Sequence, residues 1–208
     1  MTTIEAMTAI CYVAFWAMAT ERQVKRFCAV IGLRLEDWQD LLIEEFFSPR
    51  RESVWLLPRG CGKSTLLASL ALFELLRDPR AAIVVAAASR EQATHLFNQA
   101  RAFALRSESL KSALAITRRE IRNPTEGRLL VISADAEKQL GWDPSLVLID
   151  ELGSHKDDSL YTSLRTALVK RPTARQRVIS TAGSDTESVL GVLRRRYLEL
   201  PEVRMRVR

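Results

Sequence analysis

Leu57-Pro58-Arg59-Gly60-Cys61-Gly62-Lys63-Ser64-Thr65 decides how this chain is read. An apolar stretch, Ser53–Leu57, runs into it. A helical stretch, Ser64–Arg77, leaves it and stops at Asp78-Pro79. Strand, glycine-rich turn, Lys-Ser and helix form the context of a phosphate-binding P-loop. Gly60 and Gly62 let backbone N–H groups turn inward around phosphate oxygens. The helix start adds free N–H groups and the positive end of its dipole. Lys63 supplies a point charge for the β- and γ-phosphates of ATP, and the Ser64 hydroxyl suits Mg²⁺. Pro58, Arg59, Cys61 and Thr65 complete the ATP-binding stretch, with Cys61 offering its backbone N–H. A thiol at a helix start also admits a redox role. Leu57 stands where the general pattern begins with Gly, so the loop is entered differently, with Pro58 fixing φ.

Outward from the loop, strand and helix signals alternate. The spacing of Leu35, Trp38, Leu41, Leu42 and Phe46 predicts a helix over 36–47. Ala82–Ala88 reads as a buried parallel strand and Arg90–Ser107 as a helix. Ile116–Ser133 reads as two strands joined by the turn residues 123–127. Leu146–Ile149 is another buried strand, Asp158–Val169 a helix, Arg177–Thr181 a strand and Glu187–Leu198 a helix. The pattern predicts an α/β domain with a mainly parallel sheet and helices on both faces. The tail Val203–Arg208 alternates apolar residues and Arg, as a half-buried strand would.

Two further strand ends carry chemistry. Leu146-Val147-Leu148-Ile149 runs into Asp150-Glu151, at the carboxyl edge where parallel sheets bind ligands. Asp150 there suits Mg²⁺, and Glu151 suits polarising an attacking water. Val178-Ile179 runs into Ser180-Thr181-Ala182, small polar residues able to sense a γ-phosphate. Ahead of the loop, Gln39 can read an adenine edge and Trp38 can stack on the base, although Trp38 also fits a core position. His95 and His155 read as structural or solvated.

Composition bounds the rest. The chain has 208 residues, enough for one large domain with its own core. Cys11, Cys28 and Cys61 are too few and too scattered for a disulfide framework. Ala6–Ala19 is strongly apolar but shorter than the ~20 residues that cross a bilayer. No Lys or Arg precedes it, so residues 1–32 read as an N-terminal apolar helical segment and 33–208 as the P-loop domain. The net charge is +6; residues 165–208 hold 11 of the 31 Lys and Arg but only 4 of the 25 Asp and Glu. That surplus reads as a contact face for DNA or a neighbouring subunit, or as a solvated surface.

The combination resembles the ATPase domain of the large terminase subunit of tailed bacteriophages, over about residues 33–200. The matching stretches are Asp37-Trp38-Gln39, Pro58 to Ser64 with its internal Arg and no leading Gly, Ser89 to Ala93, Ser133 to Lys138, Asp150-Glu151 and Ser180-Thr181-Ala182. The resemblance implies a RecA-like P-loop ATPase that drives double-stranded DNA into a capsid. It implies that the Ser180 strand lies between the P-loop strand and the Asp150 strand. It also implies a ring homo-oligomer, a portal protein and a small terminase subunit as partners, no membrane, and work in the host cytoplasm on the viral prohead. A C-terminal nuclease belongs to that family, and this sequence leaves no residues for one.

Phosphoryl transfer in such sites commonly uses an arginine finger. Arg59 suits that role in cis, or it braces the loop against an acid. Lys138 is a second candidate, acting on a neighbour's site. A helicase-like ATPase and a nucleotide-dependent DNA clamp are the rival readings. A helicase of the relevant superfamilies needs a second RecA-like domain, and an intact Glu151 argues for turnover rather than clamping.

Overall fold

The computed structural model describes residues 21–133, 143–183 and 185–199. The apolar segment at 6–19, Lys138 and the tail at 203–208 lie outside the described residues. Helix α1 (Glu21–Val30) and α2 (Gln39–Phe46) precede strand β1 (Glu52–Leu56) and α3 (Lys63–Arg77). Then follow β2 (Ala82–Ala87), α4 (Arg90–Leu105), α5 (Glu108–Ala113), β3 (Ala115–Ile116), β4 (Glu120–Arg122) and β5 (Arg128–Ser133). The chain continues through β6 (Leu146–Asp150), α6 (Ser159–Ala167), β7 (Arg175–Ser180) and α7 (Val189–Leu198).

The strands form one sheet in the order β1-β7-β6-β2-β5-β4-β3. β1, β7, β6, β2 and β5 are mutually parallel, and β4 and β3 add an antiparallel edge. β7, which ends in Ser180, lies between β1 and β6 as expected. Both sheet faces are covered. Leu146, Leu148, Ile83, Val85 and Ile179 face α1 to α5, whereas Val147, Ile149, Val84 and Val178 face α6 and α7. A strand buried on both faces needs an unbroken apolar run, which is why 146–149 does not alternate. α1 joins the first core through Val24, Phe27 and Cys28, with Phe27 edge-on to Phe73.

Local chemistry moved several boundaries. α2 starts at Gln39, not 36, because the Gln39 carboxamide oxygen accepts the Glu36 N–H at 2.9 Å and holds the preceding turn. α4 ends at Leu105, since Arg106 swings across to donate to the Ile31 carbonyl at 2.8 Å. A separate short α5 follows. The two strands expected over 116–133 are β4 and β5, joined by residues 123–127, and the short β3 (Ala115–Ile116) precedes them at the sheet edge. β7 starts two residues early, at Arg175, and buries Gln176 and Arg177 completely. Arg177 escapes the cost of a lone buried charge by donating to the carbonyls of Phe46, Ser48 and Arg50 at 2.9–3.0 Å.

Candidate active site at the carboxyl edge of the sheet

The phosphate-loop residues 57–62 leave β1 beside β7. The Leu57 N–H donates to the Ser180 carbonyl at 2.9 Å, so pairing with β7 continues to the loop entry. Gly60 and Gly62 both have φ of 77°, a conformation that side chains other than glycine's adopt with strain. Gly62 is also the residue from which α3 starts. The first N–H groups of α3 have no acceptor within their own helix.

Lys63 is 6% exposed. Its ammonium donates to the Pro58 carbonyl at 2.8 Å and lies 3.3 Å from Glu151 Oε1. The Cys61 thiol donates to the same Pro58 carbonyl at 3.0 Å, so the loop closes on one acceptor. Next along the helix, Ser64 Oγ donates to Asp150 Oδ2 at 2.8 Å. The other Asp150 oxygen, Oδ1, is buried with no hydrogen-bond partner among the described residues. Thr65 faces away from these acids and accepts from Gln99 Nε2 at 2.6 Å.

Glu151 departs from ordinary backbone geometry, with φ of 51° and ψ of 53°. Among the described residues it is the one non-glycine with positive φ. Contacts on both sides hold it there. Its N–H donates to the Ile179 carbonyl at 2.8 Å. Its Oε2 accepts from the Thr181 N–H at 2.9 Å, from Thr181 Oγ1 at 3.0 Å and from Ser180 Oγ at 3.4 Å. Strain kept by so many contacts points to a position fixed for function.

The two acids are driven apart electrostatically. Burial pushes the Asp150 carboxyl up, the Glu151 charge beside it adds to the rise, and the Ser64 hydroxyl only partly offsets them. Burial also pushes Glu151 up, but the Thr181 N–H and hydroxyl and the Lys63 ammonium outweigh it and hold that carboxyl below its usual range. Adjacent carboxyl groups with opposite shifts suit different tasks.

The structure therefore brings Lys63, Ser64, Asp150, Glu151, Ser180 and Thr181 together. Arg59 is exposed and has no ion pair or side-chain hydrogen bond among the described residues. Trp38 is half-buried at the start of α2, and Gln39 is buried with its carboxamide engaged by Glu36. Ala182 lines a cavity of about 280 Å³ with Leu56, Leu190, Arg194 and Leu198, beside α7.

Three contacts escaped the sequence reading. Gln99 ties α4 to the first turn of α3 through Thr65. His155 is buried, and its Nε2 lies 3.3 Å from the Asp150 carbonyl oxygen. The Gly153 N–H donates to Ser180 Oγ at 3.1 Å, linking the acid loop to the end of β7. Each involves a residue common in many settings, with no spacing signal of its own. The basic surplus at 165–208 is also partly internal. Arg171 pairs with Asp143, Arg175 with Glu74 and Arg195 with Glu187, and Arg177 is buried.

The chain is similar to known proteins in sequence family and in fold. A sequence family described as the ATPase domain of the terminase large subunit matches residues 46–199. No curated protein matches the chain. Among solved structures, the large terminase of bacteriophage HK97 is similar over 88% of this chain, at 24% identity and a TM-score of 0.78. The large terminase ATPase domain of Thermus phage P74-26 is similar over 77% of this chain and 70% of its own, at 20% identity and a TM-score of 0.64. The chain spans 42% of the HK97 protein, so that likeness concerns the fold of one part of it.

Proposed function

The chain belongs to the terminase large subunit family, as its ATP-hydrolysing domain, and on that premise we propose how its residues carry out hydrolysis and what the hydrolysis drives. The observation that carries the reading is the convergence of Lys63, Ser64, Asp150 and Glu151 at the ends of β1 and β6. In this arrangement the loop N–H groups and Lys63 bind the β- and γ-phosphates. To do so Lys63 leaves Glu151 and the Pro58 carbonyl. Glu151 is then free to orient an attacking water in line with the β–γ bond. Arg59, exposed at the loop and without an acid partner among the described residues, supplies the cation for developing charge on the γ-phosphate in cis. Trp38 and Gln39 are the adenine-side residues. Lys138 remains a candidate for action on a neighbour's site.

A divalent cation fits the same place. Asp150 Oδ1 is a buried oxygen without a hydrogen-bond partner among the described residues, and Ser64 Oγ lies against the other carboxylate oxygen. Among the described residues no group of three or more His, Cys, Asp or Glu gathers to hold a metal. That suits Mg²⁺, which is held by one or two protein oxygens and takes the rest from phosphate and water. Ser64 and Asp150 would hold it, and when bound it would neutralise phosphate charge in the transition state.

The work driven is translocation of double-stranded DNA into a capsid. Support comes from the family match over residues 46–199, and the contact of Ser180 and Thr181 with Glu151 joins the acid to β7 as a route by which hydrolysis could move the sheet edge. A ring of copies on a portal protein, with a small terminase subunit to choose the DNA, completes this reading in the host cytoplasm. Among the described residues no helix is long and apolar enough to cross a membrane.

The test is phosphate release with and without duplex DNA, beside nucleotide binding, for wild type and Glu151→Gln. The variant keeps size and most hydrogen bonding but loses the charge that polarises water. It is expected to bind ATP and hold it unhydrolysed, with turnover down by about 10²–10⁴. Loss of nucleotide binding itself would give Glu151 a structural role and remove the assignment.

A further inference from the structure

The antiparallel edge of the sheet displays a set of arginines that the hydrolytic site does not use. Arg118 and Arg119 form the β3–β4 turn, and Arg122 and Arg128 stand on β4 and β5. All four are exposed. Arg118, Arg119 and Arg128 have no ion pair or hydrogen bond of their side chains among the described residues, and Arg122 pairs with Glu120 at 2.7 Å. Arg122 and Arg128 are direct cross-strand partners in the β4–β5 ladder. Like charges set opposite one another weaken an antiparallel pair. Glu120 offsets Arg122 through its ion pair, which leaves Arg128, set opposite, as the charge without a counter-ion among the described residues. A polyanion laid across the edge would turn the repulsion into attraction.

The frame under these arginines is rigid. Thr117 closes the first turn: its N–H donates to the Glu120 carbonyl at 3.0 Å and its Oγ1 accepts from the N–H groups of Arg119 and Glu120. Asn123 fixes the second. Its amide donates to the carbonyls of Leu75, Asp78 and Pro79, and its oxygen accepts from the N–H groups of Thr125 and Gly127. A side chain at Gly127 would collide with that amide. The register also orients the edge. Glu120 pairs with Leu130, and β5 runs on to Ser133, level with Ala87 and Asp150. The Arg118–Arg119 turn thus projects toward the same end of the sheet as the phosphate site, and Arg122 and Arg128 lie toward the other end.

We propose that this edge, carrying Arg118, Arg119, Arg122 and Arg128, is a contact surface for the phosphate backbone of duplex DNA. The inference rests on the DNA-translocating reading above and names the surface that reading leaves open. Phosphate contacts are read by charge and geometry rather than by base sequence. Arg suits them through its planar fork of donors. A rigid hairpin presents those forks without a large ordering cost. The arginines of α7 are the competing surface, with Arg195 paired with Glu187 as Arg122 is with Glu120, and the test below compares the two.

The test measures binding of a duplex of mixed sequence to the 208-residue chain across a series of salt concentrations. Each phosphate contact contributes about 0.9 to the slope of log affinity against log salt. The double variant Arg118→Ala/Arg119→Ala is expected to bind more weakly, with a slope shallower by about 2. Arg128→Thr is expected to lose about one contact from the slope while its melting temperature stays level or rises, because the opposed charges are gone. A merely structural arginine would lower the melting temperature instead. Arg194→Ala/Arg196→Ala is expected to keep the wild-type slope. Wild-type slopes in the hairpin variants, or an equal fall in the α7 variant, would overturn the inference while leaving the motor reading in place. A wild-type chain that binds no duplex at all would remove both.

Discussion

Lys63 and Glu151 share an ion pair of 3.3 Å at the mouth of the phosphate loop, with the ammonium almost wholly buried. A buried ammonium needs a counter-charge, and the neighbouring acid supplies it here. The same contact occupies one oxygen of Glu151 while Thr181 and Ser180 occupy the other. Neither residue is free for chemistry in this arrangement. In the proposed mechanism phosphate competes for Lys63, and winning that competition is what releases Glu151.

Lys63→Ala removes both the phosphate cation and the acid's partner. ATP turnover is expected to fall by at least the ~10²–10³ typical of losing one preorganised donor in an active site. The fold is expected to survive, since the ammonium touches only Pro58 and Glu151 in the described contacts. Phosphate-release kinetics with far-ultraviolet circular dichroism check both parts. Near-normal turnover in a folded variant would sink the phosphate-loop assignment.

Asp150 makes stability depend on pH in a definite direction and, in the proposed site, on Mg²⁺ as well. Its carboxyl is pushed up by burial and by the Glu151 charge, from an ordinary value of 3.8. The folded state thus holds that proton more tightly than the unfolded chain does. Stability from this group is present at low pH and is lost as pH rises from about 3.8 through the raised folded value. A cation bound to the carboxylate reverses the loss. Melting temperatures measured across pH, with and without Mg²⁺, should show stabilisation that grows with pH through this window. Asp150→Asn should lose that growth. A Mg²⁺ effect independent of pH, or one retained in Asp150→Asn, would place the cation elsewhere.

The sequence revealed most where short-range chemistry and fold coincide. The phosphate loop needs glycines, a lysine and a hydroxyl in contiguous order, and the acid strand needs an apolar run ending in two acids. Both were legible, as was the parallel sheet. Arg177 was not. It reads as surface charge at a strand start, yet its partners are carbonyls from residues 46–50, brought near only when β7 inserts beside β1. Arg171 and Arg175 misled in the same way, because Asp143 and Glu74 are distant in sequence. The αL geometry of Glu151 was hidden for a related reason, since its hydrogen bonds to β7 come from a strand far along the chain.

Arg177 gives a stability prediction independent of the site. It is wholly buried, burial pushes its guanidinium down to about 10, and nearby Arg175 adds to the fall. The group remains charged at neutral pH, and its compensation is a fan of carbonyls at the end of α2, where the helix dipole favours a cation. Arg177→Met leaves those carbonyls without donors. Losing hydrogen bonds of this kind in a buried setting is expected to cost roughly 3 kcal/mol. Urea denaturation measures it, and a loss below about 1 kcal/mol would show that the carbonyls find other donors.

Thr181 gives the last prediction, because it sets the acidity of Glu151 from the neighbouring strand. Three groups counter the upward push of burial on that carboxyl: the Thr181 N–H, the Thr181 hydroxyl and Lys63. Thr181→Val keeps shape and backbone N–H and deletes only the hydroxyl bond of 3.0 Å. With one stabilising donor gone, the carboxyl pKa rises. The acidic limb of the pH–rate profile for ATP hydrolysis should therefore move to higher pH, since the water-orienting form is the ionised one. The stability that Glu151 contributes above its unfolded value should also shrink, because that contribution depends on the lowered folded pKa. A Ser in place of Thr181 restores a hydroxyl and should return both the limb and the stability toward wild type. Rate profiles of the three proteins, measured in saturating ATP, decide the matter. An acid limb that stays in place in Thr181→Val would mean that the backbone N–H, with Lys63 engaged by phosphate, is enough to set the Glu151 charge. An equal shift in Thr181→Ser would mean that the methyl group, rather than the hydroxyl, positions the acid.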